Sequence, residues 1–238
     1  MKKLLILKLG DTLPDLAERR GDFEDWFIHG LGLEPAALEV FDPRRETDFP
    51  SLEDLSGILL TGSHTMVTEQ QEWSERTAAW IRTAVEAGVP TLGVCYGHQL
   101  LAHAFGGKVG NNPRGTQEGT TTVELTLEGL NDPLLGGLGA AFTAQVSHAQ
   151  SVLSLPPEAT RLAADHWDAN QAFRIGEKAW GVQFHPEMDA EIARTYIQAE
   201  SAELADQGQN PAEVLASVQE TPIAAQVLRR FARLVLDQ

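Results

Sequence analysis

The stretch VPTLGVCYGHQLLAHAFGG (89–107) passes from a strand-like run to a helix-like run across Cys95, the single cysteine of the chain. The apolar run VPTLGV predicts a buried strand, and GHQLLAHAFGG predicts a helix that ends at a glycine pair. Gly93 and Gly97 flank the cysteine, which suits a sharp, closely packed turn. The stretch therefore predicts one strand–turn–helix unit of an α/β fold.

Strand-like and helix-like segments alternate through the first half of the chain. Apolar runs predict strands at 4–10, 38–43 and 56–62, and amphipathic runs predict helices at 22–32 and 74–88. In the second of these helices, Ser74 is expected to cap the first turn and Gly88 to close the end. The alternation predicts a doubly wound α/β fold, with a mixed, mainly parallel sheet flanked by helices.

The second half of the chain changes character. TTTVELTLEG (120–129) alternates apolar and polar residues, with Val123, Leu125 and Leu127 on one face, and predicts a half-exposed antiparallel strand. RLAADH, QAFRIG and KAWGVQF predict three further short strands.

The end of the chain is predicted to be helical. TPIAAQVLRRFARLVLDQ opens with Thr221 as the expected N-cap and Pro222 at the first helical position, and its apolar stripe is expected to pack on the core. We find no repeat, low-complexity segment or linker, so the sequence predicts a single domain over 1–238 with a helical extension from about residue 190.

Charge and composition narrow the class of protein. The formal net charge of −16 repels phosphate backbones, so no nucleic-acid partner is expected. One cysteine leaves no internal disulfide and fits a reducing compartment. The N-terminal MKKLLILKLGD lacks the long apolar core of a signal peptide, and no run approaches the roughly 20 apolar residues of a membrane span. We therefore expect a cytoplasmic protein without a membrane partner.

Two interpretations of Cys95 are open. A turn at the carboxyl edge of an open α/β sheet lies where such sheets hold ligands, and a helix N-terminus favours the thiolate form. The setting resembles the nucleophile elbow of hydrolases, with cysteine in place of serine. The alternative is a buried, inert cysteine, and a lone thiol does not decide between the two.

A second stretch offers a partner base. WGVQFHPEMD (180–189) ends a predicted strand with His185 and Glu187, two residues apart and therefore able to point the same way. Glu187 would then hold the imidazole in the right tautomer while His185 takes the proton from Cys95. By itself, His185 also fits a hydrogen-bonded polar residue at a strand end.

Together, GVCYGHQLLA and GVQFHPE resemble the class I glutamine amidotransferases, whose fold is an α/β sheet carrying a Cys-His-Glu triad. The resemblance covers about residues 40–190 well and the rest more loosely. GILLTGSHTMV resembles the family's oxyanion loop and VSHAQSVLSLPPEA its SHxDxVxxLP segment. QAFRIGEKAWGVQFHPE is similar to the closing strands of stand-alone members that resemble the glutaminase domain of GMP synthase; plant γ-glutamyl peptidases are similar too.

The resemblance implies a role for each catalytic residue. The Cys95 thiolate would attack the γ-carbonyl of glutamine, and His185, oriented by Glu187, would protonate the leaving ammonia and then activate water. The backbone N–H groups of Ser63 and Tyr96 would stabilise the oxyanion.

Further positions are implied as substrate contacts: Gly62 in the oxyanion loop, Gln99, and the strip formed by His148, Ala149 and Gln150, which would hold the amino-acid end of glutamine.

One departure concerns the oxyanion loop, where GSH (62–64) replaces the GGP of many members. Serine resists a peptide flip, so the loop is either preformed or altered at its substrate end. His64 is expected to be a solvated loop residue, with a specificity contact as the alternative. The histidines show no zinc spacing, and His98 and His103 are poorly placed to share a metal, so no metal or cofactor is assigned.

Three functions are weighed. The first is a glutaminase that releases ammonia for a separate synthase, since the chain contains no GxxxxGK[ST] nucleotide motif. The second is a stand-alone hydrolase of γ-glutamyl peptides or amides. The third, favoured least because all three triad residue types are present, is a catalytically silent binding domain.

Overall fold

The computed structural model describes residues 2–236. Within that range the strands are β1 (Lys3–Leu7), β2 (Leu38–Phe41), β3 (Leu55–Leu60), β4 (Thr91–Val94), β5 (Lys108–Asn111), β6 (Gln117–Leu125), β7 (Ala141–His148), β8 (Gln150–Ser154), β9 (Ala159–Ala164), β10 (Ala172–Ile175) and β11 (Ala179–Val182). The helices are α1 (Pro14–Arg20), α2 (Phe23–Leu31), α3 (Glu72–Glu86), α4 (Tyr96–Ala104), α5 (Leu127–Leu130), α6 (Ala190–Ala199), α7 (Ser201–Asp206), α8 (Pro211–Ser217) and α9 (Gln226–Leu236).

One large sheet runs in the spatial order β2-β1-β3-β4-β11-β10-β9-β6-β7. From β2 to β11 the neighbouring strands are parallel, and from β11 onward they are antiparallel. β5 and β8 form a separate antiparallel pair. The predicted mixed sheet is thus confirmed, and its parallel half carries the strand–turn–helix unit that the sequence places at Cys95.

Helices cover both faces of the sheet, and the side chains of β1 alternate between the two cores that lie under these helices. Leu4 and Ile6 belong to the core that α2 and α9 cover. Leu5 and Leu7 belong to the core that α3 and α4 cover. Strand side chains repeat every two residues, so an unbroken apolar strand fits only where both faces are buried. This is the doubly wound arrangement predicted from the sequence.

Two expected helix starts are wrong. α3 begins at Glu72 after Gln71, and Ser74 lies inside the helix, where its hydroxyl hydrogen-bonds the Tyr96 hydroxyl over 2.7 Å. Ser74 is fully buried, so its hydroxyl takes a partner from α4 instead of capping α3.

At the end of the chain, Thr221 to Ala225 form a turn, with the Ala225 N–H donating to Thr221 O, and α9 starts only at Gln226. The predicted stripe of α9 packs on the core, but Ile223 precedes the helix and is 38% exposed. Asp237 and Gln238, the last residues of the predicted helix, lie outside the described residues.

The strand predicted over 120–129 ends early. β6 stops at Leu125, and the Thr126 side chain caps the short helix α5 by accepting from the Gly129 N–H. Leu127 is consequently 74% exposed instead of sharing a face with Val123. A competing cap therefore overrides the period-two pattern.

Three strands, β5, β7 and β8, are not predicted from the sequence. Phe142, Ala144 and Val146 do alternate in β7, but a small alanine and two buried polar residues, Gln145 and His148, weaken the pattern.

Candidate active site

Cys95 lies in a strained turn between β4 and α4. Its backbone has φ 51° and ψ −103°, a left-handed region that non-glycine residues seldom adopt. A Cβ on Gly93 would lie 2.4 Å from Gly97 O, and one on Gly97 would lie 2.6 Å from the Leu60 Cβ. The two glycines are therefore required because β3, β4 and α4 approach too closely for any side chain. The elbow predicted from sequence is present.

The cysteine side chain lies at a cleft and is not sealed in the interior. Cys95 is 7% exposed and lines a cleft of about 240 Å³ together with residues of the oxyanion loop and of β7. Its N–H donates to Val182 O over 2.9 Å, and its Sγ lies 3.6 Å from Ser147 O. These contacts hold the sulfur between the parallel half of the sheet and β7.

His185 and Glu187 form a buried pair. The Nδ1 of His185 lies 2.7 Å from Oε1 of Glu187, and the side chains are 3% and 0% exposed. The His185 N–H donates to Gln145 O, which ties the segment after β11 to β7. A carboxylate accepts only, so Nδ1 carries a proton and the buried Nε2, which has no hydrogen-bond partner within residues 2–236, is left for proton transfer.

The side chains of Cys95 and His185 converge on Gly62. A Cβ added there would lie 3.6 Å from His185 Cε1 and 4.0 Å from Cys95 Cβ. Burial opposes protonation of His185, but the Glu187 carboxylate and Cys95 outweigh it and raise its pKa well above the ordinary value. The arrangement favours an imidazolium beside the sulfur, as a general base needs after taking the thiol proton.

The oxyanion loop is held by side chains as well as by backbone. The Thr61 hydroxyl accepts from the Leu9 N–H over 2.9 Å and donates to Gly62 O over 3.0 Å. Since the peptide group is planar and trans, fixing Gly62 O also fixes the opposite direction of the Ser63 N–H. Ser63 itself lines the cleft, and its hydroxyl bonds the Thr65 hydroxyl over 2.8 Å. These contacts favour a preformed loop.

His64 is exposed, as predicted, but it also has partners. Its Nε2 lies 3.3 Å from the Tyr196 hydroxyl, which in turn bonds the Thr12 hydroxyl over 2.7 Å. The imidazole also packs edge-to-face on Phe23. His64 therefore connects the oxyanion loop to α6.

Tyr96 is the first residue of α4 and lines the cleft. The first N–H groups of a helix have no acceptor within the helix, so its position suits the second oxyanion donor. Its ring is buried and anchored by the hydroxyl bond to Ser74, which fixes the start of α4 beneath the cleft.

The strip predicted to hold the substrate is organised by hydrogen bonds. Gln99 donates through Nε2 to Gln150 O over 2.8 Å and to Gln183 Oε1 over 3.0 Å, and His148 Nδ1 lies 2.9 Å from the same Gln150 O. Ala149 O accepts from the Asn112 N–H over 3.0 Å. All of the strip residues and Gln99 line the cleft. The amide NH₂ of Gln99 thus binds the strip, so its first effect is to position Gln150.

An acidic wall of the cleft is absent from the sequence predictions. Glu118 of β6, Glu200 at the end of α6 and Glu203 of α7 line the cleft together. In the sequence, Glu118 resembles a solvent-facing strand position and Glu200 is one of several acids in the tail. Only the packing of α6 against β6 and β7 brings them to Cys95.

The described chain shows neither a membrane span nor a metal cluster. Among residues 2–236, no helix is both long and apolar enough to cross a membrane. Within the same range, no group of three or more histidine, cysteine, aspartate or glutamate side chains is placed to hold a metal ion.

Comparison with known sequences links the chain to one family. The family model described as Glutamine amidotransferase class-I matches residues 22–202. The glutamine-hydrolyzing GMP synthase of Porphyromonas gingivalis is 41% identical over 189 residues, which are 79% of this chain and 33% of that relative. The chain thus spans about a third of the length of this relative.

A shorter relative matches over most of its own length. It is one subunit of the glutamine-hydrolyzing GMP synthase of Archaeoglobus fulgidus, and it is 30% identical over 177 residues, covering 72% of this chain and 87% of that relative.

Comparison with solved structures supports the fold. A glutamine amidotransferase from Thermotoga maritima superposes with a TM-score of 0.77 over 100% of both chains, at 21% sequence identity.

Proposed function

Because the chain belongs to the class I glutamine amidotransferase family, we propose that it hydrolyses the γ-amide of glutamine through a thioester on Cys95 and releases ammonia. Cys95, His185 and Glu187 are proposed as the catalytic residues. The observation that carries this proposal is the convergence of the Cys95 side chain and the Glu187-bound imidazole on Gly62, beside a cleft that Cys95 and Ser63 line.

In the first half-reaction, His185 takes the thiol proton and the sulfur attacks the γ-carbonyl carbon, forming a C–S bond. The carbonyl π electrons move to oxygen, and the N–H groups of Ser63 and Tyr96 are proposed to donate to that oxyanion. His185 then returns the proton to the amide nitrogen, the C–N bond breaks, and ammonia leaves with the thioester in place.

In the second half-reaction, Nε2 of His185 takes a proton from water, and the resulting hydroxide attacks the thioester carbon. The C–S bond breaks, glutamate forms, and the sulfur recovers its proton from His185. Glu187 holds the imidazole in the tautomer that both steps need, and the strip of His148, Ala149 and Gln150 is proposed to bind the amino-acid end of glutamine.

The acceptor of ammonia is proposed to be a separate synthase. The Archaeoglobus fulgidus relative is itself a subunit of a GMP synthase, and this chain matches 87% of it. The second candidate function is a stand-alone γ-glutamyl amide or peptide hydrolase, favoured by the carboxyl groups of Glu118 and Glu200 in the cleft, which a substrate larger than glutamine could contact.

The test is covalent labelling followed by turnover. An electrophilic glutamine analogue should label Cys95 with one equivalent per chain, located by peptide mass spectrometry, while the Cys95→Ala variant should remain folded and unlabelled. Label on another residue, or none, would support the silent binding domain. Ammonia release from glutamine, compared with amine release from γ-glutamyl peptides, then separates the two enzymatic functions.

A further inference from the structure

The two ends of the oxyanion loop are held by different side chains. Thr61 fixes the first end through its hydroxyl. Beyond it, the backbone of Ser63 and His64 forms no hydrogen bond to other backbone groups in the described part of the chain. The Ser63 hydroxyl bonds Thr65 of the same loop, whereas His64 Nε2 lies 3.3 Å from the hydroxyl of Tyr196 in α6. Tyr196 is therefore the hydrogen-bond anchor of the second end.

The imidazole of His64 also lies between two aromatic rings. Its centroid is 6.0 Å from the ring of Phe23 at the start of α2 and 5.7 Å from the ring of Tyr196, and both contacts are edge-to-face. Because His64 is exposed, burial by itself does not order its side chain. Its position is set by the two rings and by the Tyr196 hydroxyl.

Tyr196 is itself held in place and is 2% exposed. Its neighbours in a small hydrophobic core between α1, α2 and α6 are Leu16, Phe23, Trp26, Met188 and Ile192. Its hydroxyl bonds the Thr12 hydroxyl over 2.7 Å, and the Thr12 N–H donates to Asp22 Oδ1 over 2.7 Å. A tyrosine hydroxyl can donate one hydrogen bond and accept another, so it serves both His64 and Thr12. Tyr196 is not among the described residues that line the cleft, so it has no direct route to a substrate there.

We propose that Tyr196 is a positioning residue for the reaction at Cys95: through His64, its hydroxyl holds the second end of the oxyanion loop and so keeps the Ser63 N–H directed at the oxyanion. The inference rests on the proposed hydrolysis and makes helix α6 a determinant of its rate. Oxyanion donors lower the barrier because they are fixed before the charge develops. A looser loop would slow formation of the thioester without weakening the binding of the amino-acid end of glutamine.

The first experiment compares two changes in the same core. Tyr196→Phe removes only the hydroxyl, and Ile192→Val removes one methylene group beside it. Tyr196→Phe is expected to lower kcat for ammonia release about fivefold to tenfold, as loss of one neutral hydrogen bond does, with KM changed by less than about twofold. Ile192→Val should keep the wild-type kcat. An unchanged kcat in Tyr196→Phe, an equal loss in both variants, or a loss that appears in KM would overturn the proposal.

The second experiment asks whether Tyr196 acts through His64. His64→Ala removes the imidazole from an exposed position, and adding Tyr196→Phe to it should lower kcat no further. Losses that multiply would show that the hydroxyl acts by another route and would refute the positioning role. Iodoacetamide alkylation of Cys95 needs the thiolate but no oxyanion, so Tyr196→Phe should be alkylated at the wild-type rate. Slower alkylation would mean that the cysteine itself is displaced, which also refutes it.

A measurement of loop order separates this proposal from the proposed hydrolysis. Order parameters of the Ser63 and His64 amides, obtained by NMR relaxation, require no turnover. We expect about 0.85 in the wild type and in Ile192→Val, and less than about 0.6 in Tyr196→Phe. If the wild type releases no ammonia, the hydrolysis fails, while this loss of order still supports the hold of Tyr196 on the loop. Equal order parameters in all three proteins exclude that hold whether or not the wild type is active.

Discussion

At the residue scale, the chemistry of the cleft depends on which buried atoms have partners. Nδ1 of His185 is occupied by Glu187, and Nε2 is not occupied within the described residues. In the proposed mechanism, this division lets one nitrogen orient the ring while the other transfers protons. The roles of the two residues therefore differ, and substitutions should separate them.

His185→Ala should lower kcat/KM for glutamine by about 10²–10⁴-fold, because it removes the group proposed to transfer the proton. Glu187→Gln should lower it much less, because an amide of the same shape can still accept from Nδ1 and orient the ring. Steady-state ammonia release measures both, with the melting temperature as the folding control. Equal losses in the two variants would contradict the separate roles.

The role that we expect for Thr61 could not be predicted from its position in the sequence. Thr61→Val keeps the shape but removes the hydroxyl that fixes Gly62 O, so the Ser63 N–H is no longer held in the direction proposed for an oxyanion donor. We expect kcat to fall by up to about 10²-fold with little change in KM, since one oxyanion donor is worth this much. Thr65→Val is the matched control, because the Thr65 hydroxyl bonds the Ser63 hydroxyl and not the carbonyl of Gly62. An equal loss in both variants would remove the case for Thr61.

At the element scale, the packing of β3, β4 and α4 decides where a side chain can be added. Gly97→Ala would place a Cβ 2.6 Å from Leu60 Cβ and 2.7 Å from Leu60 O, and backbone on this side cannot give way. Gly62→Ala would meet only ordinary contacts, at 3.6 Å and 4.0 Å. The two glycines therefore serve different purposes, one for the fold and one for the cleft.

We expect Gly97→Ala to destabilise the protein by about 1–3 kcal/mol, as overpacking does. Gly62→Ala should keep the wild-type stability but lower kcat/KM, because its methyl group would lie against both His185 and Cys95. Urea unfolding and ammonia release, measured on both variants, test the contrast. A stable Gly97→Ala protein, or a fully active Gly62→Ala protein, would be the opposite result.

At the scale of the whole molecule, two hydrophobic cores on opposite faces of one sheet support the site. Some titratable side chains are buried beside these cores, and His98 is one of them. Burial lowers the pKa of His98 to about 3, although a backbone hydrogen bond involving Gly181 opposes the shift. His98 belongs to α4, and its side chain faces Gly181 of β11 and packs against Phe173. Its charge is therefore coupled to the stability of the entire fold.

The unfolded chain protonates His98 near the ordinary value of about 6.5, whereas the folded protein does so only near pH 3. Between these values the folded state binds fewer protons, so the contribution of His98 to stability is present at pH 7 and is lost as the pH falls. Burial also opposes the charge on His185, but Glu187 and Cys95 raise its pKa, so its contribution is present below about pH 6.5 and declines as the pH rises.

His98→Gln should therefore flatten the loss of stability between pH 6.5 and about pH 4, measured as the free energy of unfolding in urea. His166→Gln, at an exposed histidine, should leave the slope unchanged. The prediction fails if the His98→Gln protein loses stability with falling pH as steeply as the wild type does.

Local order along the chain was enough to predict the parallel half of the sheet and the elbow at Cys95, whereas the candidate triad was predicted from the resemblance of GVCYGHQLLA and GVQFHPE to a known family. Buried parallel strands are continuous apolar runs, and an elbow needs glycines at fixed offsets, so both features are visible without any knowledge of packing. The pairing of His185 with Glu187 could also be predicted, because residues two apart on an extended segment can share a direction.

Four features could not be predicted from the sequence because they depend on long-range packing. They are the start of α3, the end of β6, the Thr61 bond that orients the proposed oxyanion loop, and the pair of carboxyl groups of Glu118 and Glu200 in the cleft. Most of these features depend on a partner that is distant in sequence. The buried Ser74 hydroxyl bonds the Tyr96 hydroxyl, and the Leu9 N–H donates to the Thr61 hydroxyl. Helix α6 packs against β6, which places Glu200 and Glu118 in the same cleft. A polar side chain takes its role from the groups that bury it, and those groups come together only when the chain has folded.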